Sequence, residues 1–281
     1  MPTVALAERG IVRVEGAEAR AFLDGLVTCD LDRVAPGRPR FGALLSPQGK
    51  ILFDFHLWQA ADAAYHLDVA RALAPDLVRR LAFYRLRARI AIEDRSADLA
   101  VLAGWDGAGP GNAADDPRLA ALGWRAVLPR AEAEQAPTDD AAYQAHRIRL
   151  GVPESGRDFA PGDAFPHEAL MEQVGGVDFD KGCYVGQEVV SRMQHRGTAR
   201  SRFVQLRHDG PALPPGTEVA AGGRALGRTG SATDGTALAL LRLDRVAEAQ
   251  AAGEPITAGG APVTVVLPAW VTFTLPAPDR A

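Results

Sequence analysis

The apolar positions of this chain change period several times, and each change marks an element. Residues 10–14 alternate as a short strand, and residues 17–26 place Phe22, Leu23 and Leu26 on one helical face. After a turn at Ser46-Pro47-Gln48-Gly49-Lys50, residues 51–58 alternate again, with 65–69 as the hairpin partner. A helix over 72–84 keeps Leu73, Leu77, Val78 and Leu81 in step, and strands are predicted near 86–92, 99–103 and 125–128, with a short helix at 117–122. That order of strands and helices suits a split βαβ, ferredoxin-like unit. An Ala/Glu/Pro stretch at 131–138 reads as a linker, followed by helices at 143–150 and 167–174 around a loop rich in Gly, Pro and Asp. From residue 201 the texture becomes short strands (203–207, 218–220, 237–243, 263–266) divided by Gly and Pro turns, the pattern of a small antiparallel barrel.

The segment with the most chemistry is Lys181-Gly182-Cys183-Tyr184-Val185-Gly186-Gln187-Glu188. It sets one thiol between two glycines, with a cation two residues upstream. Glycine tolerates backbone angles that other residues resist, so a short loop can hold Cys183 outward. Residues 187–195 then read as a helix with Val189, Val190 and Met193 on one face. A thiol before a helix start and near Lys181, Arg192 or His195 is expected to favour its thiolate, the form that attacks electrophiles or binds metal. A free cysteine is more often a buried apolar filler. Against that reading, only Lys50 and Lys181 are lysine among 31 basic side chains, and both stand beside a glycine. An arginine cannot copy a compact ammonium on a flexible stem. A Cys183–His195 pair is a rival reading, but a helix between them carries the imidazole away from the thiol.

A length of 281 residues allows two or three domains, and 47% apolar with 23% charged residues is ordinary for a globular protein. The net charge of −4 argues against nucleic acid as the main partner. Residues 1–16 lack the apolar core of a secretory signal, and no run reaches the ~18 apolar residues of a membrane span, so a cytoplasmic location without membrane contact is expected. Cys29 and Cys183 are far apart and give no disulfide framework, and no histidine stands at zinc-ligand spacing from them, so no metal site is expected.

The cysteine segment, with Arg192 after it, resembles the KGCYxGQE hallmark of the folate-binding YgfZ-type proteins, relatives of the glycine-cleavage T-protein (aminomethyltransferase). The similarity extends to Phe22-Leu23, Leu26-Val27-Thr28 before Asp30, Pro47-Gln48-Gly49-Lys50, Tyr84-Arg85-Leu86-Arg87, and Arg147 with Gly151 and Pro153. It implies an α+β, T-protein-like three-domain ring with a ferredoxin-like unit and a C-terminal antiparallel β-barrel. The expected division is 1–45 plus 139–200 for the folate-binding core, 46–138 for the ferredoxin-like domain and 201–281 for the barrel. It also implies tetrahydrofolate or a derivative as cofactor and a role in assembling or maintaining iron–sulfur proteins. Iron–sulfur proteins or assembly factors would be its partners, and Cys183 its working thiol. A folate-dependent aminomethyl or one-carbon transferase is the alternative. The T-protein's paired acids match Phe53 and Asp54, so one of the two is lost. By the same resemblance Cys183, Lys181 and Asp54 are the catalytic candidates, and Glu168, Tyr184, Gln187, Arg192 and Tyr84 the folate contacts. A carboxylate such as Glu168 suits a pterin because it accepts two parallel N–H bonds.

Overall fold

Alternation in Ile51–Gln59 organises the first half of the computed structural model, which describes residues 2–197 and 199–277. The strand is flanked in one antiparallel sheet of spatial order Arg40–Leu45, Ile51–Gln59, Tyr65–Ala70, Arg9–Glu15, Ala91–Asp94. Phe53, Phe55 and Leu57 meet Val12, Val14, Leu67 and Val69 on one face, where the helices Ala19–Asp24 and Ala74–Arg85 bring Leu23, Leu77 and Leu81. Period two turns the intervening residues, Asp54, His56, Asp68 and Ile11, to the opposite face. There Ile11 packs with Val4, Val101, Ala103, Trp105 and Tyr143. Apart from Trp105, which follows a strand end, those residues come from the helix Ala141–Leu150 and from a second sheet of order Thr3–Ala5, Leu99–Gly104, Trp124–Pro129, Ala114–Asp115. By contacts this body comprises the chain up to Tyr143 together with Val174–Val189. The boundary expected at 45/46 falls inside a hairpin, because Arg40–Leu45 pairs with Ile51–Gln59 from Arg40↔Leu57 to Leu45↔Ile51.

A buried ionic cluster ties the two sheets of this unit together. Asp68 accepts from Arg9 Nε at 2.6 Å and from Arg125 Nη2 at 2.7 Å, and Arg125 Nη1 reaches Tyr143 Oη at 2.9 Å. Arg118 donates to Asp116 at 2.7 Å and to the same tyrosine oxygen at 3.0 Å. His56 lies between the two carboxylates, 3.5 Å from Asp68 and 3.6 Å from Asp116. Burial pushes the Asp68 carboxyl up, but Arg125 and Arg9 outweigh it and hold the group well below the usual carboxylate range. Burial, with Arg125 and Arg118 beside it, drives His56 the other way, from 6.5 down to about 3.

The sign for stability follows from that depression. A histidine that binds its proton at 6.5 when unfolded and only near 3 when folded contributes its full stabilisation above pH 6.5, and loses it as the pH falls towards 3. Wild-type stability should therefore drop by several kcal/mol over that window, and His56→Phe should flatten part of the slope in urea titrations at stepped pH. An unchanged slope would exclude His56 as its source.

The second body comprises Gln144–Gln173 and Val190 onward. Its seven-stranded antiparallel sheet has the order Ala261–Pro262, Ile256–Ala258, Glu218–Ala221, Arg224–Thr233, Thr236–Arg242, Ser201–Arg207, Thr264–Val266. Val204, Leu206, Val219 and Leu241 form its core with Val246 and Ala249 of the helix Leu243–Ala251. The helix expected at 167–174 is a series of tight turns, with Leu170 in the left-handed region at φ 60°. The strand expected from residue 86 starts only at Ala91, because Leu86 also has positive φ, at 43°. Among the described residues no helix is long and apolar enough to cross a membrane, and no group of three or more His, Cys, Asp or Glu could hold a metal ion.

Candidate functional site

Cys183 is exposed in the loop that leads to the helix Gln187–Arg196. What fixes that loop is Lys181, whose side chain is only 2% exposed. Its Nζ donates to the carbonyl oxygens of Asp24 (2.7 Å), Val27 (2.9 Å) and Cys29 (3.0 Å). It also stands 3.1 Å from the Asp24 carboxylate and 5.6 Å from the centre of the Tyr184 ring. An ammonium has three N–H donors, and three carbonyls take them. The carbonyls belong to the last residue of Ala19–Asp24 and the turn after it, where a helix end favours a cation. The sequence reading gave Lys181 the task of activating Cys183; the geometry turns its ammonium to the 24–29 segment. Cys29 is the thiol whose ionisation that cation favours, and there burial prevails, pushing the group up to about 12.

The second brace is a contact between backbones. Gly186 has φ 83° and Gly49, in the 46–50 turn, φ 79°. A Cβ on Gly186 would stand 2.6 Å from Ser46 O, and one on Gly49 would press on Val189 at 3.0 Å. Gly182 meets nothing within 4 Å and has no such φ, so of the two glycines flanking the thiol only Gly186 is required by conformation. Gly186→Ala should therefore cost about 2 kcal/mol or more in urea unfolding, while Gly182→Ala stays within about 0.5 kcal/mol of wild type. Equal effects would contradict the packing.

The other expected site residues divide between the two bodies. In the first, Tyr184 is buried, with a hydroxyl that finds no protein hydrogen-bond partner, and burial pushes it up to about 12. Gln187 Oε1 accepts from Tyr184 N at 3.4 Å, so this side chain closes the loop on itself. Tyr84, in the last turn of Ala74–Arg85, is half-buried against the helix-covered core. Asp54 is buried on the opposite face of the sheet, the face of His56. In the second body, the Glu168 carboxylate accepts from Phe165 N at 2.9 Å, and its own carbonyl accepts from Phe203 N at 2.9 Å. Arg192 and His195 are exposed along Gln187–Arg196. His195 lies in the last turn, roughly 12 Å along the axis from the helix start. Sequence reasoning missed Asp24, whose main-chain and side-chain oxygens both meet Lys181; an acid two residues before an apolar pair carries no distinguishing signal.

Comparison with known proteins decides the family. The chain is 30% identical over 273 residues to the human mitochondrial iron–sulfur cluster assembly factor IBA57, covering 85% of this chain and 76% of that protein. The chain belongs to the IBA57 family. The Pyricularia oryzae IBA57 homolog is 30% identical over 298 residues, covering 90% of this chain and 75% of its own length. The Mycosarcoma maydis homolog is 32% identical over 234 residues, and of that protein the chain spans 58%. Residues 6–110 match the GCVT N-terminal domain and residues 200–273 the CAF17 C-terminal beta-barrel domain. The fold of this IBA57-family chain is that of the glycine-cleavage T-protein with a C-terminal antiparallel barrel. The Bartonella henselae aminomethyltransferase T superposes with a TM-score of 0.76 over 96% of this chain and 86% of its own, at 17% identity. The cytoplasmic location expected from residues 1–16 is overturned, because these IBA57 relatives are mitochondrial proteins. The lack of an apolar secretory core carries no weight there, since mitochondrial targeting uses amphipathic, arginine-rich segments instead.

Proposed function

We propose that this IBA57-family chain acts in iron–sulfur cluster assembly, binds tetrahydrofolate or a derivative, and presents Cys183 as its working thiol. The observation that carries the reading is the exposed thiol on a loop braced from within by Lys181 and Gly186. A loop so fixed holds a nucleophile or ligand at one place without making it part of the core. Clusters generally take four protein ligands, so Cys183 would be one ligand among several, the others coming from a partner protein. For the folate, Tyr184 offers a buried hydroxyl that the protein does not satisfy, an unusual arrangement that a bound polar molecule would relieve. In the first body Tyr184 is therefore the residue that would meet the folate, with Tyr84 supplying an aromatic surface.

Calorimetry with tetrahydrofolate and complementation of a deletion strain test the reading together. Wild type should bind the folate and restore iron–sulfur enzyme activity, and Tyr184→Phe, which removes the unsatisfied hydroxyl, should weaken binding about tenfold or more. Cys183→Ala should keep both folate affinity and stability, the latter within about 0.5 kcal/mol, yet fail to restore activity. A protein that binds no folate, in a strain whose iron–sulfur enzymes are normal without it, would remove the proposal. Full complementation by Cys183→Ala would remove the thiol's part in it.

A further inference from the structure

The last turn of Ala74–Arg85 and the residues after it differ from the rest of the described surface. Phe83 is 74% exposed and Leu86 88%, and these two are the large hydrophobic side chains that stand in solvent. Around them Arg79, Arg80, Arg85, Arg87 and Arg89 are all exposed. Two acids answer them: Asp76 pairs with Arg79, and Glu18 lies 3.6 Å from Arg89, both partly in solvent. Removing five of the 31 cations from a chain of net charge −4 leaves −9, so this is a local basic surface on an acidic protein. The helix is held to its own core through Ala74, Leu77 and Leu81, so neither exposed side chain is needed for that packing. Leu86 is thrust outward at φ 43°, ψ −102°, a conformation that residues with a Cβ seldom adopt.

We propose that this corner of the first body docks on the surface of an anionic bilayer, with Phe83 and Leu86 entering the headgroup layer and the arginines lying over the phosphates. A protein partner of stable affinity would need a continuous face of about 800 Å² with an apolar centre. Here the apolar part is two protruding side chains ringed by cations. A lipid interface accepts such a tip without a preformed pocket, and adjacent basic and apolar groups reinforce each other there. The expectation of no membrane contact rested on the lack of a spanning segment, which a surface contact does not require.

The test is sedimentation of the full chain with vesicles of phosphatidylcholine alone, and of equal parts phosphatidylcholine and phosphatidylglycerol. Binding should appear with the anionic vesicles, be absent from the neutral ones, and fall about tenfold or more in high salt. Phe83→Ser with Leu86→Ser, and separately Arg79→Glu with Arg80→Glu, should each weaken it about tenfold or more while the melting temperature stays at the wild-type value. Should either pair lower the melting temperature, Leu86→Ser alone replaces it. The proposal falls if wild type ignores the anionic vesicles, if it binds neutral ones equally, or if the variants bind as wild type does. It also falls if soluble polyglutamate is bound and the vesicles are not, an outcome that would assign the surface to an acidic protein.

Discussion

Lys181→Met should cost the first unit about 3 kcal/mol of stability, and Lys181→Arg nearly as much. Methionine has similar length but no donors, so the carbonyls of Asp24, Val27 and Cys29 would each lose the partner they now have. The Asp24 carboxylate would lose its cation as well. Arginine keeps the charge but fails on shape. Its guanidinium is planar and wider, with donors in a fixed fork, whereas the site converges on one nitrogen from three directions. The measurement is urea unfolding with the slope fitted freely, run beside complementation in the deletion strain. Both variants should lose stability and cellular function together, because a released 24–29 segment would also release the thiol loop. An arginine variant equal to wild type in both assays would show that charge alone is required.

Asp68→Asn should be more damaging, at about 3–5 kcal/mol. The carboxylate faces Arg9, Arg125 and His56 at once, with no exposed surface of its own. An asparagine accepts through one oxygen and brings no charge, so Arg9 and Arg125 would each lose the carboxylate they now meet in a buried place. The loss should appear in thermal and urea unfolding alike. Replacing Asp68 and Arg125 together with apolar residues of similar volume should recover part of it, since removing a buried pair is milder than orphaning one member. A loss below about 1 kcal/mol for Asp68→Asn would mean that the cluster does not hold the sheets together.

The strands that carry one apolar face were legible in the sequence, because residues 53–57 and 65–69 alternate apolar with polar side chains and their strands are bounded by turns. The same alternation concealed the ionic cluster. His56 and Asp68 read as the solvent side of half-buried strands, and only the second sheet, packed over that face, makes them interior. Leu170 and Leu86 misled in another way. Each sits in an apolar pattern that extends an element, while its positive φ ends that element, and no leucine signals such a backbone angle. Strand Arg224–Thr233 and helix Leu243–Ala251 were missed because glycine, arginine and alanine dilute their periods. At the site, the unusual lysine marked a position that matters, yet sequence could not say which atoms the ammonium would meet. Its partners lie more than 150 residues upstream.

That separation bears on the order in which the protein comes together. The first body closes only when Val174–Val189 returns to the chain that ends at Tyr143, after an excursion through Gln144–Gln173. During synthesis the two sheets can form while the oxygens that Lys181 will bind are still waiting for a segment yet to leave the ribosome. Joining across so long a loop is entropically slow, which makes the thiol loop a late arrival on the folding path. A nascent chain stalled before the motif would hold the two sheets of the first body but neither Cys183 nor the lysine that braces its loop, so the exposed cysteine is displayed only once the body that carries it is built.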